Sequence, residues 1–333
     1  MDSLADTKTW EQFEQEVAAE SYFAAELIAH LQKTIIGQEN MLRALLIGLL
    51  SNGHLLLEGF PGLAKTLAVK TLAQAIDANF SRIQFTPDIL PADILGTMIY
   101  NIHTNEFNVK QGPIFSNFIL ADEINRAPEK VQSALLEAMQ EHQVTIGNTT
   151  YPIKAPFMVL ATQNPIDQNG TYELPEAQMD RFMLKVAISY PSIDEERSIM
   201  QQHVRENKMA VPVCTIAQIF KMQSLVKKVH IDTKIENYIL NIVFCTRYPE
   251  NYGLSELKAL IKFGSSPRGT INLAMAARAQ AFLKNRAFVT PEDVIAVIFE
   301  VLRHRIGLTY NALAENITAD NIIDKILKAI PMP

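Results

Sequence analysis

The sequence predicts an α/β domain built on a parallel sheet, followed by a smaller helical domain. Three observations carry that prediction. Between residues 54 and 188, short apolar segments bounded by turn residues alternate with helix-length amphipathic ones. Such alternation is the mark of a parallel layer architecture with a sheet covered on both faces. The alternation stops at Tyr190-Pro191-Ser192, and beyond that point the apolar periods are almost all helical. Finally, 333 residues at about 150 per domain leave room for about two domains.

Residues 1–20 read as a loosely held arm or short helix, within an N-terminal arm at 1–24 ahead of a core at 25–190 and a helical domain at 191–333. Helical spacing of apolar residues runs over 24–33 and 38–50 until Gly53 breaks it. Strands are expected at 54–57, 81–85, 118–121, 157–161 and 184–188, with helices at 65–78 and 128–142. Two hairpins interrupt this order. One has strands 98–100 and 107–109 around the turn-rich His103–Asn105 stretch, and the other has Gly147-Asn148 between 143–146 and 149–153. Pro191 blocks the last strand from continuing, and Ser192 with Glu195 forms a capping-box pattern that opens a helix. Thr290-Pro291-Glu292-Asp293 is a second clear helix start.

Composition narrows the function. Hydrophobic residues make up 48% and charged residues 20%, so the chain can bury a large core and is too apolar for disorder. Lys plus Arg is 30 against 36 Asp plus Glu, a net charge of −6, which argues against general nucleic-acid binding driven by phosphate neutralisation. Cys214 and Cys245 have no CxxC spacing, which argues against a zinc site and a disulfide framework and fits a reducing compartment. The polar start lacks the apolar stretch of a signal peptide, and no apolar run reaches the about 18 residues of a membrane span. The expectation is a soluble cytoplasmic protein.

The strongest chemical signal is Gly59-Phe60-Pro61-Gly62-Leu63-Ala64-Lys65-Thr66, between a strand and a helix. Backbone N–H groups of such a loop and the helix N-terminus cradle phosphates. Lys65 would reach the β- and γ-phosphates of ATP, and the Thr66 hydroxyl would bind Mg²⁺. Ala64 departs from the strict P-loop pattern, which has Gly before the Lys. The second signal is the apolar strand at 118–121 ending in Asp122-Glu123. It lies at the edge where ligands of α/β sheets collect, so Asp122 is a candidate to hold Mg²⁺ and Glu123 to polarise the attacking water. Asn164, at the end of another apolar strand, is a candidate to contact the γ-phosphate. Arg181 is a candidate trans-acting finger, with an ion pair to Asp180 or Glu176 as the plain alternative. Arg268 follows Ser266 and Pro267 in a first helical turn. A cation there opposes the helix dipole, which makes sense beside an anion.

In these motifs the chain resembles the AAA+ ATPases, and more closely their MoxR family. Glu58 to Thr66 looks like the family's Walker A, which tolerates Ala before Lys, with Leu67 next in the helix. Ala121 to Ala127 looks like Walker B, Ala161 to Pro165 like sensor 1, Ala177 to Phe182 like the arginine-finger segment, and Ser266 to Gly269 like sensor 2. Ile35-Ile36-Gly37-Gln38-Glu39 is similar to the stretch that packs near the adenine. The resemblance covers nearly all of 25–330. It implies a P-loop AAA+ three-layer sandwich with a small all-helical lid, and binding of ATP and Mg²⁺. It also implies a homo-oligomeric, usually hexameric, ring and a chaperone-like role on partners that often carry a von Willebrand factor A domain. The hairpins fit the helix-2 insert and the insert before sensor 1. Either could line a ring pore, with bland surface hairpins as the alternative.

The leading expectation is therefore an ATP-hydrolysing remodelling ATPase whose sites are completed by a neighbouring subunit. A nucleic-acid motor is the alternative that the acidic balance disfavours, and a nucleotide-gated scaffold the one that the intact Asp122-Glu123 pair disfavours.

Overall fold

The computed structural model describes residues 2–163, 172, 174–203 and 212–333. The first element is one helix, α1 (Asp2–Thr34), in place of a loose arm or short helix. Its sequence lacks Gly and Pro, and a buried stripe of Val17, Ala24, Leu27 and Leu31 begins well before the apolar stretch that the sequence makes obvious. Gly37 and Gln38, both at positive φ, turn the chain into α2 (Glu39–Leu50), which is buried on nearly every side.

Two compact units follow from the contacts: one holds Glu26–Phe182 and Val186–Ile219, the other the residues up to Ala25, Met183–Lys185 and Phe220–Pro333. The elements of the first are β1 (Leu55–Glu58), α3 (Lys65–Ala75), β2 (Phe80–Gln84), α4 (Pro91–Leu95), the hairpin β3 (Gly96–Asn101) and β4 (Glu106–Gln111), and β5 (Phe118–Asp122). They continue with α5 (Glu129–Glu141), the hairpin β6 (Gln143–Ile146) and β7 (Thr149–Pro152), β8 (Met158–Gln163), α6 (Glu176–Met179), β9 (Leu184–Ala187, from Val186 on) and α7 (Ile193–His203). The sheet order is β2-β5-β8-β1-β9, with β1–β8, β2–β5 and β5–β8 parallel. The three inner strands, β5, β8 and β1, are apolar on both faces (Leu55–Leu57 and Phe118–Ala121 are fully buried), as a sheet covered by helices requires.

Register decides where chemistry collects. Glu58 pairs with Gln163 and Gln84 with Asp122, so four strands end at one edge of the sheet. His54 anchors the start of β1: its Nε2 lies 3.1 Å from the Met139 carbonyl, and the Val159 N–H donates to Nδ1 at 3.0 Å. Burial holds this imidazole neutral, with its pKa lowered to about 4. Buried Gln132 on α5 donates to the carbonyls of Ile124, Ala127 and Tyr172, fixing the segment that leaves β5.

Both expected hairpins form. On the first, Tyr100 pairs with Phe107, their ring centroids 5.1 Å apart, and both rings are exposed. The predicted strands 98–100 and 107–109 hold both residues, and an aromatic mark that the sequence reading did not credit to the hairpin emerges from their register. Ser192 and Glu195 form the predicted capping box at α7, the Ser192 N–H donating to the carboxylate at 2.7 Å.

The second unit contains α8 (Ile216–Lys228, from Phe220 on), α9 (Thr233–Arg247), α10 (Pro267–Leu283), α11 (Pro291–Leu302), α12 (Tyr310–Ala314) and α13 (Ala319–Ala329). A short antiparallel ladder of Ile261–Phe263 with Gly307–Leu308 interrupts the helices. The predicted helix start at Thr290 forms, with Thr290 and Asp293 making a capping box, and fully buried Asp293 also pairs with Arg286 at 2.6 Å. No helix among the described residues is long and apolar enough to cross a membrane.

Candidate functional site

The loop from β1 to α3 is shaped by three small residues. At Gly59 a Cβ would stand 2.7 Å from the Ile188 carbonyl oxygen, so the close approach of the chain excludes any side chain. Gly62 has φ +84° and open space where its Cβ would be. Ala64 takes the left-handed conformation, φ 56° and ψ 16°, at the position where the strict pattern has Gly. An L-residue there costs roughly 1–2 kcal/mol, which explains both the usual Gly and how Ala, with the smallest side chain, can replace it.

α3 starts at Lys65 without a side-chain cap and without an acidic residue in its first turn. Its leading N–H groups, which have no intrahelical acceptor, are thus left for an outside anion. The Lys65 ammonium donates to the Gly59 carbonyl at 2.7 Å. Partial burial pushes its pKa down, against the opposing pull of Asp122 and Glu123.

Across the cleft, the end of β5 is knit together. Asp122 Oδ2 accepts from Arg82 Nη2 at 2.6 Å and Nε at 3.1 Å, and its Oδ1 accepts from the Thr162 hydroxyl at 2.6 Å. The same hydroxyl accepts from the Glu123 N–H at 2.8 Å. Glu123, at φ 57°, receives the Gln84 amide at 2.9 Å and lies 3.3 Å from Arg126 Nε.

The loop and the carboxylates line one cleft of about 390 Å³, formed by Gly59, Pro61 to Leu67, Arg82, Gln84, Asp122, Glu123 and Thr162. That volume is within the range of small-ligand sites. The uncapped helix start, the lysine and the open space at Gly62 fit a polyphosphate. Thr66 and Asp122 are hard oxygen donors of the kind that holds Mg²⁺ together with phosphates and water. No cluster of three or more His, Cys, Asp or Glu among the described residues forms an all-protein cage.

The structure thus brings together Gly59, Pro61, Gly62, Leu63, Ala64, Lys65, Thr66, Leu67, Asp122 and Glu123. Gly37 stands against the Glu195 carboxylate. Gln38 lines a neighbouring cleft of about 260 Å³ with Ser189, Tyr190 and Glu195, and its amide donates to the Ser189 carbonyl at 2.9 Å. Phe60 of the loop between β1 and α3 stacks on Tyr190 of this second cleft, ring centroids 4.8 Å apart. Asn164 lies outside the described residues. Arg181 follows α6, is half-buried and is not among the cleft residues. Arg268 belongs to the other unit, where its N–H donates to the capping Ser266 hydroxyl at 3.1 Å in the first turn of α10.

Sequence reasoning missed Arg82, Gln84, Thr162 and Tyr190. The available signal was the polar alternation Arg82-Ile83-Gln84 in a strand whose neighbour ends in two acids. It becomes readable only once β2 is known to pair with β5.

Residues 54–184 match the family described as ATPase family associated with various cellular activities (AAA), and residues 256–326 match the AAA lid domain. Chaperone MoxR1 of Mycobacterium tuberculosis is 46% identical over 95% of this chain and 84% of its own. The chain belongs to the MoxR family of AAA+ ATPases. Protein MoxR of Paracoccus denitrificans is 31% identical over 92% of this chain and 95% of its own. The crystal structure of a candidate ATPase from Cytophaga hutchinsonii, 48% identical, superposes with a TM-score of 0.92 over 98% of this chain and 99% of that one. Membership in a nucleotide-binding family accords with the phosphate loop and the carboxylate pair of the cleft.

Proposed function

We propose that this MoxR-family chain binds and hydrolyses Mg²⁺–ATP in the cleft between β1 and β5, and works in a homo-oligomeric ring to remodel or mature a partner protein. The observation that carries the proposal is the uncapped start of α3 with Lys65 facing Asp122 and Glu123 across one cleft. The loop N–H groups and Lys65 would bind the β- and γ-phosphates, Lys65 exchanging the Gly59 carbonyl for phosphate oxygen. Thr66 and Asp122 would hold the metal, which when bound screens phosphate charge. Glu123 would take the proton of the attacking water, after leaving Gln84 and Arg126. Gly37 and Gln38, beside Tyr190, would border the base. For Asn164 and Arg268, family resemblance supports roles as phosphate sensors.

Ring assembly rests on family resemblance and on Arg181, which is not among the described residues that line the cleft. An arginine supplied by a neighbour is worth about 10³–10⁵ in phosphoryl transfer. The chaperone role is supported by the name of the Mycobacterium relative, and a von Willebrand factor A partner by the resemblance alone.

The test is ATP turnover per protomer with Mg²⁺ against protein concentration. The wild type should rise steeply and saturate, while Arg181→Ala should stay low at all concentrations. An Arg181→Ala protein as active as the wild type would sink the shared site.

A further inference from the structure

Arg82 belongs to none of the recognised motifs, yet it is the link between the two carboxylates. Its Nε and Nη2 both address Asp122 Oδ2, and Nη2 also donates to the Gln84 side-chain oxygen at 3.0 Å. A guanidinium carries only donors, so Gln84 must turn its oxygen to Arg82 and its NH₂ to Glu123. That amide meets Glu123 Oε2 at 2.9 Å. Thr162 closes the chain from the other side, between Asp122 Oδ1 and the Glu123 N–H.

We infer that Arg82 is a positioning residue that couples metal uptake at Asp122 to the release of Glu123. The inference rests on reading the cleft as a Mg²⁺–nucleotide site. Oδ1 already accepts from the Thr162 hydroxyl and Oδ2 accepts twice from Arg82, so a cation at Asp122 has to share this carboxylate with the guanidinium. A guanidinium and a divalent cation repel each other at one carboxylate oxygen, so they compete for it. Once Asp122 Oδ2 turns to the cation, Arg82 withdraws and Gln84 loses the partner that fixes its orientation. Glu123 is then freed on that side, with Arg126 still beside it. Arg82 is suited to the exchange because half of its side chain is exposed, and an ion pair of that kind is weak. The order of events has a purpose. The water-activating carboxylate stays masked until the metal-binding one is occupied.

The experiment uses the full chain and a fluorescent non-hydrolysable ATP analogue, titrated in EDTA and then with rising Mg²⁺. In Arg82→Ala and Arg82→Gln the Mg²⁺ concentration for half-maximal tightening of binding should fall about three- to fivefold, the change expected for losing a weak competing ion pair. Arg82→Lys, which keeps a cation on Asp122, should restore it toward the wild-type value. Affinity in EDTA should be unchanged in all three. A half-point that stays or rises in Arg82→Ala and Arg82→Gln would overturn the inference. So would a loss of affinity in EDTA, which would make Arg82 a phosphate contact. If the wild type itself shows no Mg²⁺-dependent binding, the reading of the cleft fails and the inference with it. A simple brace would change the melting temperature of these variants and leave their Mg²⁺ half-points alone.

Discussion

At the end of β1 the chain leaves hydrogen-bonding groups open, whereas at the end of β5 it closes them on one another. The loop side has an uncapped helix start, a glycine beside empty space and a lysine resting on its own loop. The carboxylate side has Asp122 and Glu123 tied to Arg82, Gln84, Arg126 and Thr162. Both are strand ends on one edge of one sheet. They differ in what a ligand must do. On the proposed function, phosphates would meet donors already waiting, so binding there would cost little rearrangement. Catalysis on the other side would need existing bonds to be given up first, which would let that side be regulated.

The contrast predicts that the two sides respond differently to mutation. The loop side is tested by Lys65→Met. It removes a charge-assisted contact and should weaken nucleotide binding about ten- to a hundredfold. Because the ammonium is partly desolvated and its pKa depressed, the empty protein should melt no lower than the wild type. Equilibrium binding and a melting curve on the same sample check both halves, and a lowered melting point would break the contrast. Thr162→Val should do the reverse. It leaves the Glu123 N–H and an Asp122 oxygen without their partner, a loss of about 1–3 kcal/mol per group in denaturant unfolding, with nucleotide affinity in EDTA nearly unchanged. Ala64→Gly should have the smallest effect. It relieves a left-handed alanine and should stabilise the chain by about 1 kcal/mol or less, with binding intact. A destabilised Ala64→Gly would mean that the loop is not strained at that residue.

The same contrast explains what could be read from the sequence. The phosphate loop is eight contiguous residues between a strand and a helix, and Asp122-Glu123 is a two-residue strand end, so both are visible locally. Alternation of apolar strands and helices likewise revealed the sheet, with β2 and β5 within a residue of their expected bounds. The network could not be seen, because Arg82 and Gln84 reach Asp122 and Glu123 only through the pairing of β2 with β5, and Thr162 through that of β5 with β8. Each of these residues alone is an ordinary polar strand position. The long α1 was missed for a related reason. Its N-terminal half is polar, and the stripe that begins at Val17 is sparse until Ala24.

Glu123→Gln is the measurement that tests the central claim most directly, with nucleotide affinity and turnover read on the same preparation. If the cleft hydrolyses ATP through this carboxylate, the variant should bind Mg²⁺–ATP as tightly as the wild type while its turnover falls by about 10²–10⁴. A turnover within a few-fold of the wild type would contradict the account and move the chemistry away from the end of β5.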